Sequence, residues 1–177
     1  MKADTHRQFG SSSWSKWLWG IVRYRCFRAV ITHRLAQKSP IFAPLHLFAC
    51  WLAGMDLDRH ARIGPGLHIN HGYGLVVSHG ARVGANVTFF HGVTLGRRDK
   101  IDEAGNRLTE YPVVEDEVCI GPHAVIIGGV TIGRGSRIAA GAFVTSSIPP
   151  YSVVQGNPAQ IVKSGCVPDV NNKAPLA

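Results

Sequence analysis

The residues of this chain best suited to chemistry are aspartates and histidines in a glycine-rich segment, residues 54–74. An imidazole titrates near neutral pH, so a histidine there can remove a proton from a hydroxyl group, which is otherwise a poor nucleophile. A carboxylate that bonds the far nitrogen of the ring holds the productive tautomer. Histidine alone is weak evidence, because others occur in the same part of the chain and are expected mostly at the surface. These are His60, His68, His79, His91 and His123.

The element that must position these residues is indicated by a large apolar residue that recurs about every six positions. The series is Leu57, Ile63, Ile69, Leu75, Val83, Phe89, Leu95, Val114, Ile120, Ile126, Ile132, Ile138 and Val144. A unit this short cannot bury its own apolar face, so successive units must stack. The pattern predicts an all-β solenoid, a left-handed parallel β-helix of hexapeptide repeats. It disfavours a β-sandwich, whose strands alternate with period two between irregular turns.

Two interruptions break this period. The spacing grows by two residues between Leu75 and Val83, and the segment 97–111 contains little apolar material. We expect that segment to form a protruding loop. In solenoids, insertions leave the stack on one face and often shape a binding site.

Almost all of the positive charge precedes the solenoid. Residues 1–55 hold eight Lys or Arg against the single acid Asp4, a net charge of +7, whereas residues 56–177 hold eleven against ten, a net charge of +1. Ser13 is a suitable N-cap for a helix from about Trp14 to Leu35. A second apolar stretch, Leu45–Met55, follows two prolines.

Two roles are open for this basic, helical segment. It can cap the open end of the solenoid, since solenoids need caps. Alternatively, residues 14–55 can make peripheral contact with an anionic membrane, because the second stretch is shorter than the roughly 20 apolar residues that a bilayer span takes. Nucleic-acid binding is the weaker interpretation, since no recognised motif accompanies the charge.

We therefore expect three parts: an N-terminal segment 1–55, a β-helix 56–163 with the loop 97–111, and a flexible C-terminal tail 164–177. The four cysteines show no zinc or CxxC spacing, which is typical of a reduced, cytoplasmic setting. No cleavable signal peptide is evident, because the start of the chain is polar through Ser13.

Several motifs of the predicted solenoid resemble those of serine acetyltransferases. They are Asp56-Leu57, Ala61–Gly66, Ile69–Gly72, Gly92–Gly96 and the closing stretch Val154–Val162 with its Gly-Asn-Pro-Ala sequence. The resemblance covers residues 54–163 and implies an acetyl-CoA-dependent O-acetyltransferase. By position, His71 matches the catalytic base of that family and Asp56 the carboxylate that orients it. His91 is the rival or helper of His71.

The resemblance also implies a homotrimer that binds acetyl-CoA in the groove between neighbouring subunits. The matching positions for the coenzyme are Gly96, Gly121, Pro122, Arg137, Ala139, Ala140 and Lys163. A metal-dependent alternative of the γ-carbonic-anhydrase kind shares the fold, but we find no convincing three-histidine arrangement and expect no metal.

Departures from the family bear on the acceptor. Serine acetyltransferases carry an Arg-His pair that helps to hold the carboxylate of the amino acid, where this chain has Glu110 and Tyr111. The family's acidic residue before the catalytic histidine is Asn70 here. We expect Asn70, His91, Glu110 and Tyr111 to contact the acceptor, and we expect Glu110 to repel a carboxylate.

The chain is also similar in size and layout to small O-acetyltransferases of capsule and exopolysaccharide synthesis. We therefore predict transfer to a sugar hydroxyl of a glycan or its precursor. Serine O-acetylation is the alternative within the enzyme class. A trimeric β-helix that serves only as a scaffold is the alternative outside it, and the retained Asp56 and His71 argue against it.

Overall fold

The N-terminal third of the chain is helical. The computed structural model describes residues 1–175. Its helices are α1 Lys2–Phe9, α2 Trp14–Arg23, α3 Arg25–Lys38 and α4 Ala43–Ala53, with a 3-10 turn at Pro40–Phe42.

Short strands fill the rest. They are β1 Asp56–Leu57, β2 Arg62–Ile63, β3 His68–Ile69, β4 Val76–Val77, β5 Arg82–Val83, β6 Thr88–Phe89, β7 Thr94–Gly96, β8 Arg98–Ile101, β9 Arg107–Glu110, β10 Val113–Val114, β11 Cys119–Ile120, β12 Val125–Ile127, β13 Thr131–Ile132, β14 Arg137–Ile138, β15 Phe143–Val144, β16 Val153–Gln155 and β17 Gln160–Lys163. Within residues 1–175 they form three stacked sheets, A (β1-β4-β7-β12-β15), B (β13-β10-β5-β2) and C (β17-β16-β14-β11-β6-β3), and the hairpin β8-β9.

Each of the first four turns contributes one strand to each sheet, in parallel register. The last turn adds β15 and β16 and reaches sheet B only through a bridge at Ile148, and β17 then pairs with β16 in the antiparallel direction. The inward residues form three buried rows: Leu57, Val77, Leu95, Ile126 and Val144 in sheet A; Ile63, Val83, Val114 and Ile132 in sheet B; and Ile69, Phe89, Ile120, Ile138 and Val154 in sheet C. The predicted left-handed parallel β-helix is confirmed, together with its helical N-terminal part.

The register corrects the position of the first interruption. Leu75 is buried but precedes its strand, and Val77 takes the place opposite Leu57 in sheet A. The two extra residues therefore lie between Ile69 and Val77, in the corner that holds His71. The segment 97–111, expected as a loop, contains the antiparallel hairpin β8-β9.

The N-terminal helices differ from the single helix predicted over Trp14–Leu35. Ser13 does cap α2, accepting a hydrogen bond from the amide of Lys16 at 3.4 Å. The helix breaks at Tyr24, where φ is −114° and ψ is 111°. The polar start of the chain, for which the sequence analysis gave no individual helix, forms α1.

Helix α1 is anchored by two buried charges. The Asp4 carboxylate pairs with Arg34 at 2.9 Å and accepts hydrogen bonds from the amides of Gly66 and Leu67 at 3.1 Å. The Arg7 guanidinium donates to the Thr88 hydroxyl at 2.7 Å. These bonds hold α1 against the first coils of sheet C.

Helices α3 and α4 cap the open end of the β-helix. His46 Nε2 donates to the carbonyl of Leu57 at 2.7 Å, and the Gln37 amide donates to the carbonyl of Ala61 at 2.8 Å. Carbonyls of the first coil have no preceding coil to pair with, so these side chains supply the missing donors. This is the capping role described above.

The C-terminal segment follows sheet C back toward α1. The amide of Cys166 donates to the carbonyl of Tyr151 at 2.8 Å. The amide of Ala174 donates to Asn86 Oδ1 at 2.9 Å, and the buried Asn86 amide returns a bond to the carbonyl of Ala174 at 3.1 Å. Residues 164–175 are thus held in place, because buried Asn86 needs partners, and the expectation of a flexible tail is corrected for them. Residues 176 and 177 of that tail lie outside the described part.

Buried histidines should make this fold sensitive to acid. Burial lowers the pKa of His33 to about 4, while the unfolded side chain titrates near pH 6.5. In this pH range His33 is protonated in the unfolded state and neutral in the folded state. The free energy of unfolding therefore falls as the pH drops from about 6.5 toward 4. Between pH 7 and pH 5 His33 alone should cost about 2 kcal/mol of the free energy of unfolding, measured by urea titration. His33→Gln should flatten this slope and His60→Gln, at an exposed site, should not; equal slopes would contradict the assignment.

Candidate functional site

One edge of the β-helix gathers many of the predicted site residues. It is the edge at which the chain passes from sheet C to sheet A, and we call it the catalytic edge. Its successive corners are residues 70–75, 90–93, 121–124 and 139–142. The corners are joined by hydrogen bonds from Gly92 N to Tyr73 O, His123 N to His91 O and Gly141 N to Pro122 O, of 2.8 to 2.9 Å.

His71 lies on this edge with an exposed side chain. Its backbone adopts the left-handed conformation, with φ 54°, within the two-residue expansion of its corner. The next residue is pressed into the interior: Gly72 donates to Cys26 Sγ at 3.3 Å, and a Cβ there would lie 2.4 Å from Met55 Cε. His71 is consequently presented outward. It borders a cavity of about 410 Å³ together with Asn70 and the first turn of α3.

Asp56 is also exposed, but it borders a different cavity, of about 400 Å³. In the part of the chain described, Asp56 and His71 form no hydrogen bond or ion pair with each other, and neither side chain bonds to another residue. The predicted contact is therefore not made in the isolated chain. The Tyr73 ring packs closely on Gly54, two residues before Asp56, since a Cβ on Gly54 would lie 2.5 Å from this ring.

His91 and His123 form a pair that the sequence did not indicate. Their ring centroids are 4.9 Å apart and nearly perpendicular, and His91 Nδ1 is buried without a partner among residues 1–175. His123 has φ 57° at a corner position where the coil below carries Gly92, with φ 66°. A Cβ on Gly92 would lie 2.3 Å from His123 Nδ1, so glycine is required for the two rings to stack. The sequence signal that could have revealed this pair is that His123 stands at a position of the hexapeptide repeat that is glycine in neighbouring coils.

Four of the seven predicted coenzyme residues continue the catalytic edge beyond these rings. Gly121 and Pro122 lie in one corner and Ala139 and Ala140 in the next. A Cβ on Gly121 would lie 2.8 Å from the amide nitrogen of Ala140, so the two corners stack backbone to backbone. They form a strip with few side chains, along which an extended arm can lie close to backbone groups.

The other three are placed elsewhere. Gly96 ends β7, at the edge between sheets A and B. Arg137 lies on the outer face of sheet C and donates to the carbonyl of Val167 at 3.1 Å, and Lys163 is exposed in β17. These three residues thus lie outside the strip, although Arg137 precedes Ala139 by only two residues.

Glu110 and Tyr111 lie on the edge between sheets A and B, which we call the hairpin edge. The Tyr111 hydroxyl lies 2.8 Å from His79 Nε2. Hydrogen bonds from Lys100 at 3.0 Å and from Arg98 at 3.4 Å hold the pKa of Glu110 below its usual value. Glu110 is ionised but compensated, so the expectation that it would repel a carboxylate is weakened. The predicted acceptor residues are also divided, with Asn70 and His91 on the catalytic edge.

No group of three or more His, Cys, Asp or Glu side chains in the described chain is arranged to hold a metal ion. The His91–His123 pair therefore has no third ligand among residues 1–175.

Comparison with known proteins places this geometry in a family. The family described as bacterial transferase hexapeptide (six repeats) matches residues 111–146. Serine acetyltransferase of Bacillus licheniformis is 34% identical over 148 residues, which are 80% of this chain and 66% of the relative. That of Staphylococcus xylosus is 40% identical over 149 residues, 81% of this chain and 67% of the relative. The chain thus spans about two thirds of the length of these relatives.

Solved structures of serine acetyltransferases show the same likeness. The crystal structure of serine acetyltransferase from Brucella abortus superposes with a TM-score of 0.77 at 32% identity, covering 93% of this chain and 68% of that one. The fold and repeats define a left-handed β-helix protein of the hexapeptide transferase class. Within that class, the chain belongs to the serine acetyltransferase-like hexapeptide-repeat acetyltransferases.

The structural likeness reaches into the N-terminal helices. Residues 56–177 are 122 of the 177 residues, or about 69% of the chain, so a match over 93% includes most of residues 1–55. The match to that structure therefore extends through most of the basic segment.

The prediction that the coenzyme lies along this strip can be tested by placing a bulky side chain there. Ala140 is exposed, so Ala140→Phe should fold normally, and its ring should block an arm lying between the corners. We expect the affinity for coenzyme A, measured by calorimetry, to fall about tenfold or more. Arg82→Phe, at an exposed site on sheet B and on neither of the two edges, is the control. Equal affinities in both variants would place the coenzyme elsewhere.

Proposed function

We propose that this protein transfers the acetyl group of acetyl-CoA to the hydroxyl group of L-serine. The observation that carries the proposal is the position of His71. It is an exposed imidazole beside a cavity, at one end of a strip of small residues, in a chain that is 32 to 40% identical to named serine acetyltransferases.

The chemistry assigned to His71 is general base catalysis. The imidazole removes the proton of the acceptor hydroxyl as the oxygen attacks the thioester carbonyl, giving a tetrahedral intermediate. Collapse of this intermediate breaks the carbon–sulfur bond, and the imidazolium returns its proton to the departing thiolate of coenzyme A. Every proton and electron pair is accounted for without a metal or a redox partner.

Asp56 is proposed to orient and stabilise the imidazolium. The backbone segments of the two residues are adjacent, since Gly74 N donates to Gly54 O at 2.7 Å. Both side chains are exposed and have no other partners within residues 1–175. Rotation of exposed side chains on binding of the substrates is the step by which we expect the pair to form.

The acceptor proposed here differs from our first expectation, a sugar hydroxyl. The relatives named above are serine acetyltransferases, which favours the alternative. The argument against serine rested on Glu110, Tyr111 and Asn70. Of these, the Glu110 carboxylate is paired with Lys100 and Arg98, which weakens the part of the argument that concerns repulsion. We therefore propose L-serine and keep sugars as the comparison in the assay.

We propose a homotrimer because a single chain leaves the predicted site residues on two separate edges of the β-helix. Asn70, His71 and His91 lie on the catalytic edge, whereas Glu110 and Tyr111 lie on the hairpin edge. A neighbouring copy that places its hairpin edge against the catalytic edge would unite them, as the family resemblance implies.

We also propose peripheral contact of α4 with an anionic membrane. Leu47, Phe48 and Trp51 are 69%, 55% and 74% exposed, and the segment 1–55 carries a net charge of +7. None of the helices in the described chain is long and apolar enough to cross a bilayer.

The catalytic assignment predicts that His71→Ala loses transfer by a factor of about 10² to 10⁴, because the general base is removed. Asp56→Asn should lower kcat at least about tenfold with little change in coenzyme affinity. The measurement is thiol release from acetyl-CoA with L-serine and, in parallel, a panel of sugars. His60→Ala serves as the control, since His60 is exposed and paired with Asp58.

Two results would contradict the proposal. Full activity of His71→Ala would move the base elsewhere, His91 first. Acceptor-dependent thiol release with a sugar and none with L-serine would restore the glycan acceptor, and none with any acceptor would favour the scaffold.

The membrane contact is tested by point variants, because deletion of residues 1–38 would also remove the capping side chains. The double variant Phe48→Ser, Trp51→Ser should reduce flotation with anionic vesicles about tenfold or more, since two exposed rings no longer insert. Ile101→Ser, at an exposed apolar site on the hairpin, is the control. Equal flotation of all three proteins would refute the contact.

A further inference from the structure

Arginines line the cavity beside the candidate base. Arg23, Arg25 and Arg28 border the same cavity of about 410 Å³ as Asn70 and His71. The break between α2 and α3 at Tyr24 places Arg23 at the end of one helix and Arg25 at the start of the next. Three cations thus share one small cavity with one imidazole.

Arg25 is fixed relative to His71. Its guanidinium carbon lies 3.6 Å from the centroid of the Tyr73 ring, and the guanidinium also donates a hydrogen bond to the Tyr73 hydroxyl. Tyr73 follows His71 by two residues, and its amide donates to the carbonyl of His71 at 2.6 Å. A planar guanidinium stacked on a ring is a preorganised donor for a carboxylate. Arg28, in contrast, already donates to the carbonyls of Ile21 and Val22.

The positive charge of the cavity is not compensated. Among the described residues, neither Arg23 nor Arg25 forms an ion pair with a carboxylate. The single acid of residues 1–55 is Asp4, which is paired with Arg34 and the N-terminal amine. A cavity lined by arginine side chains that no carboxylate pairs with favours a ligand that carries a negatively charged group.

We infer that Arg25, assisted by Arg23, binds the carboxylate of an amino-acid acceptor and so places its hydroxyl at His71. The inference rests on the proposed function and deepens it. It supplies the cation that the sequence lacks at positions 110 and 111, and it draws that cation from the capping helices instead of the solenoid. Arg25 is a specificity residue in this account, since an arginine fork recognises a carboxylate in two bonds.

The test compares two acceptors that differ only in this group, L-serine and L-serinamide. In Arg25→Gln we expect the KM for L-serine to rise about tenfold or more, because a charge-assisted hydrogen bond is lost. The KM for L-serinamide and the KM for acetyl-CoA should stay within about twofold. Arg25→Lys should rescue L-serine only in part, and Arg62→Gln, an exposed arginine of sheet B, should change nothing. Calorimetric titration of wild type and Arg25→Gln with L-serine gives a readout without turnover.

Each outcome separates the inference from the proposed function. Equal effects on L-serine and L-serinamide, or no effect on either, would overturn the inference. A rise confined to the KM for acetyl-CoA would also overturn it, because the arginine would then serve the coenzyme phosphates. Binding of L-serine that is lost in Arg25→Gln supports the inference even if wild type transfers no acetyl group to serine, in which case only the proposed function fails. Absence of L-serine binding to wild type refutes the inference.

Discussion

The structure depends on the return of every coil to the same three buried rows. Parallel strands pair through their backbones, so each large apolar residue must fall above the one in the coil below. Residues in excess of the repeat have no place inside and leave at a corner. Two surplus residues between Ile69 and Val77 turn His71 outward in a left-handed backbone conformation. The hairpin β8-β9 leaves at another corner by the same rule. The exposure of the candidate base is therefore a consequence of the packing.

The open end of the β-helix must be covered by hydrogen-bond donors, and the helices that supply them also shape the site. Carbonyls of the first coil require donors, which His46 and Gln37 supply from α4 and α3. Docking these helices brings the start of α3 against the corner of His71, where Cys26 accepts a bond from Gly72 and Arg25 stacks on Tyr73. The capping helices thus form one wall of the cavity beside the base. The same packing makes the folded state less stable in acid, because His33 is buried in its neutral form.

The two edges differ in whether their charged side chains are paired. On the hairpin edge Glu110 forms partly exposed ion pairs with Lys100 and Arg98, which reduce its repulsion of a carboxylate and leave neither cation unpaired. On the catalytic edge Arg25 lies beside the base without a carboxylate partner among residues 1–175. This difference favours an acceptor that carries a carboxylate, although the sequence lacks the carboxylate-binding Arg-His pair of the family at positions 110 and 111. It also separates recognition of the acceptor from the strip proposed for the coenzyme, which is lined mostly by backbone.

The apolar period by itself determined the stacked solenoid of hexapeptide repeats, because the period follows from local spacing. The three buried rows became visible only with the strand register. The family resemblance pointed to His71 and to seven coenzyme positions, of which the structure brings only Gly121, Pro122, Ala139 and Ala140 into one strip. Contacts between residues far apart in sequence were decided only by the tertiary structure. The true place of the two extra residues needed the strand register, since Leu75 and Val77 are both buried and both fit the pattern. The break at Tyr24, the separation of Asp56 from His71, the compensation of Glu110 and the position of Arg25 over Tyr73 depend on how helices and corners pack, and spacing along the chain carries no information about those distances.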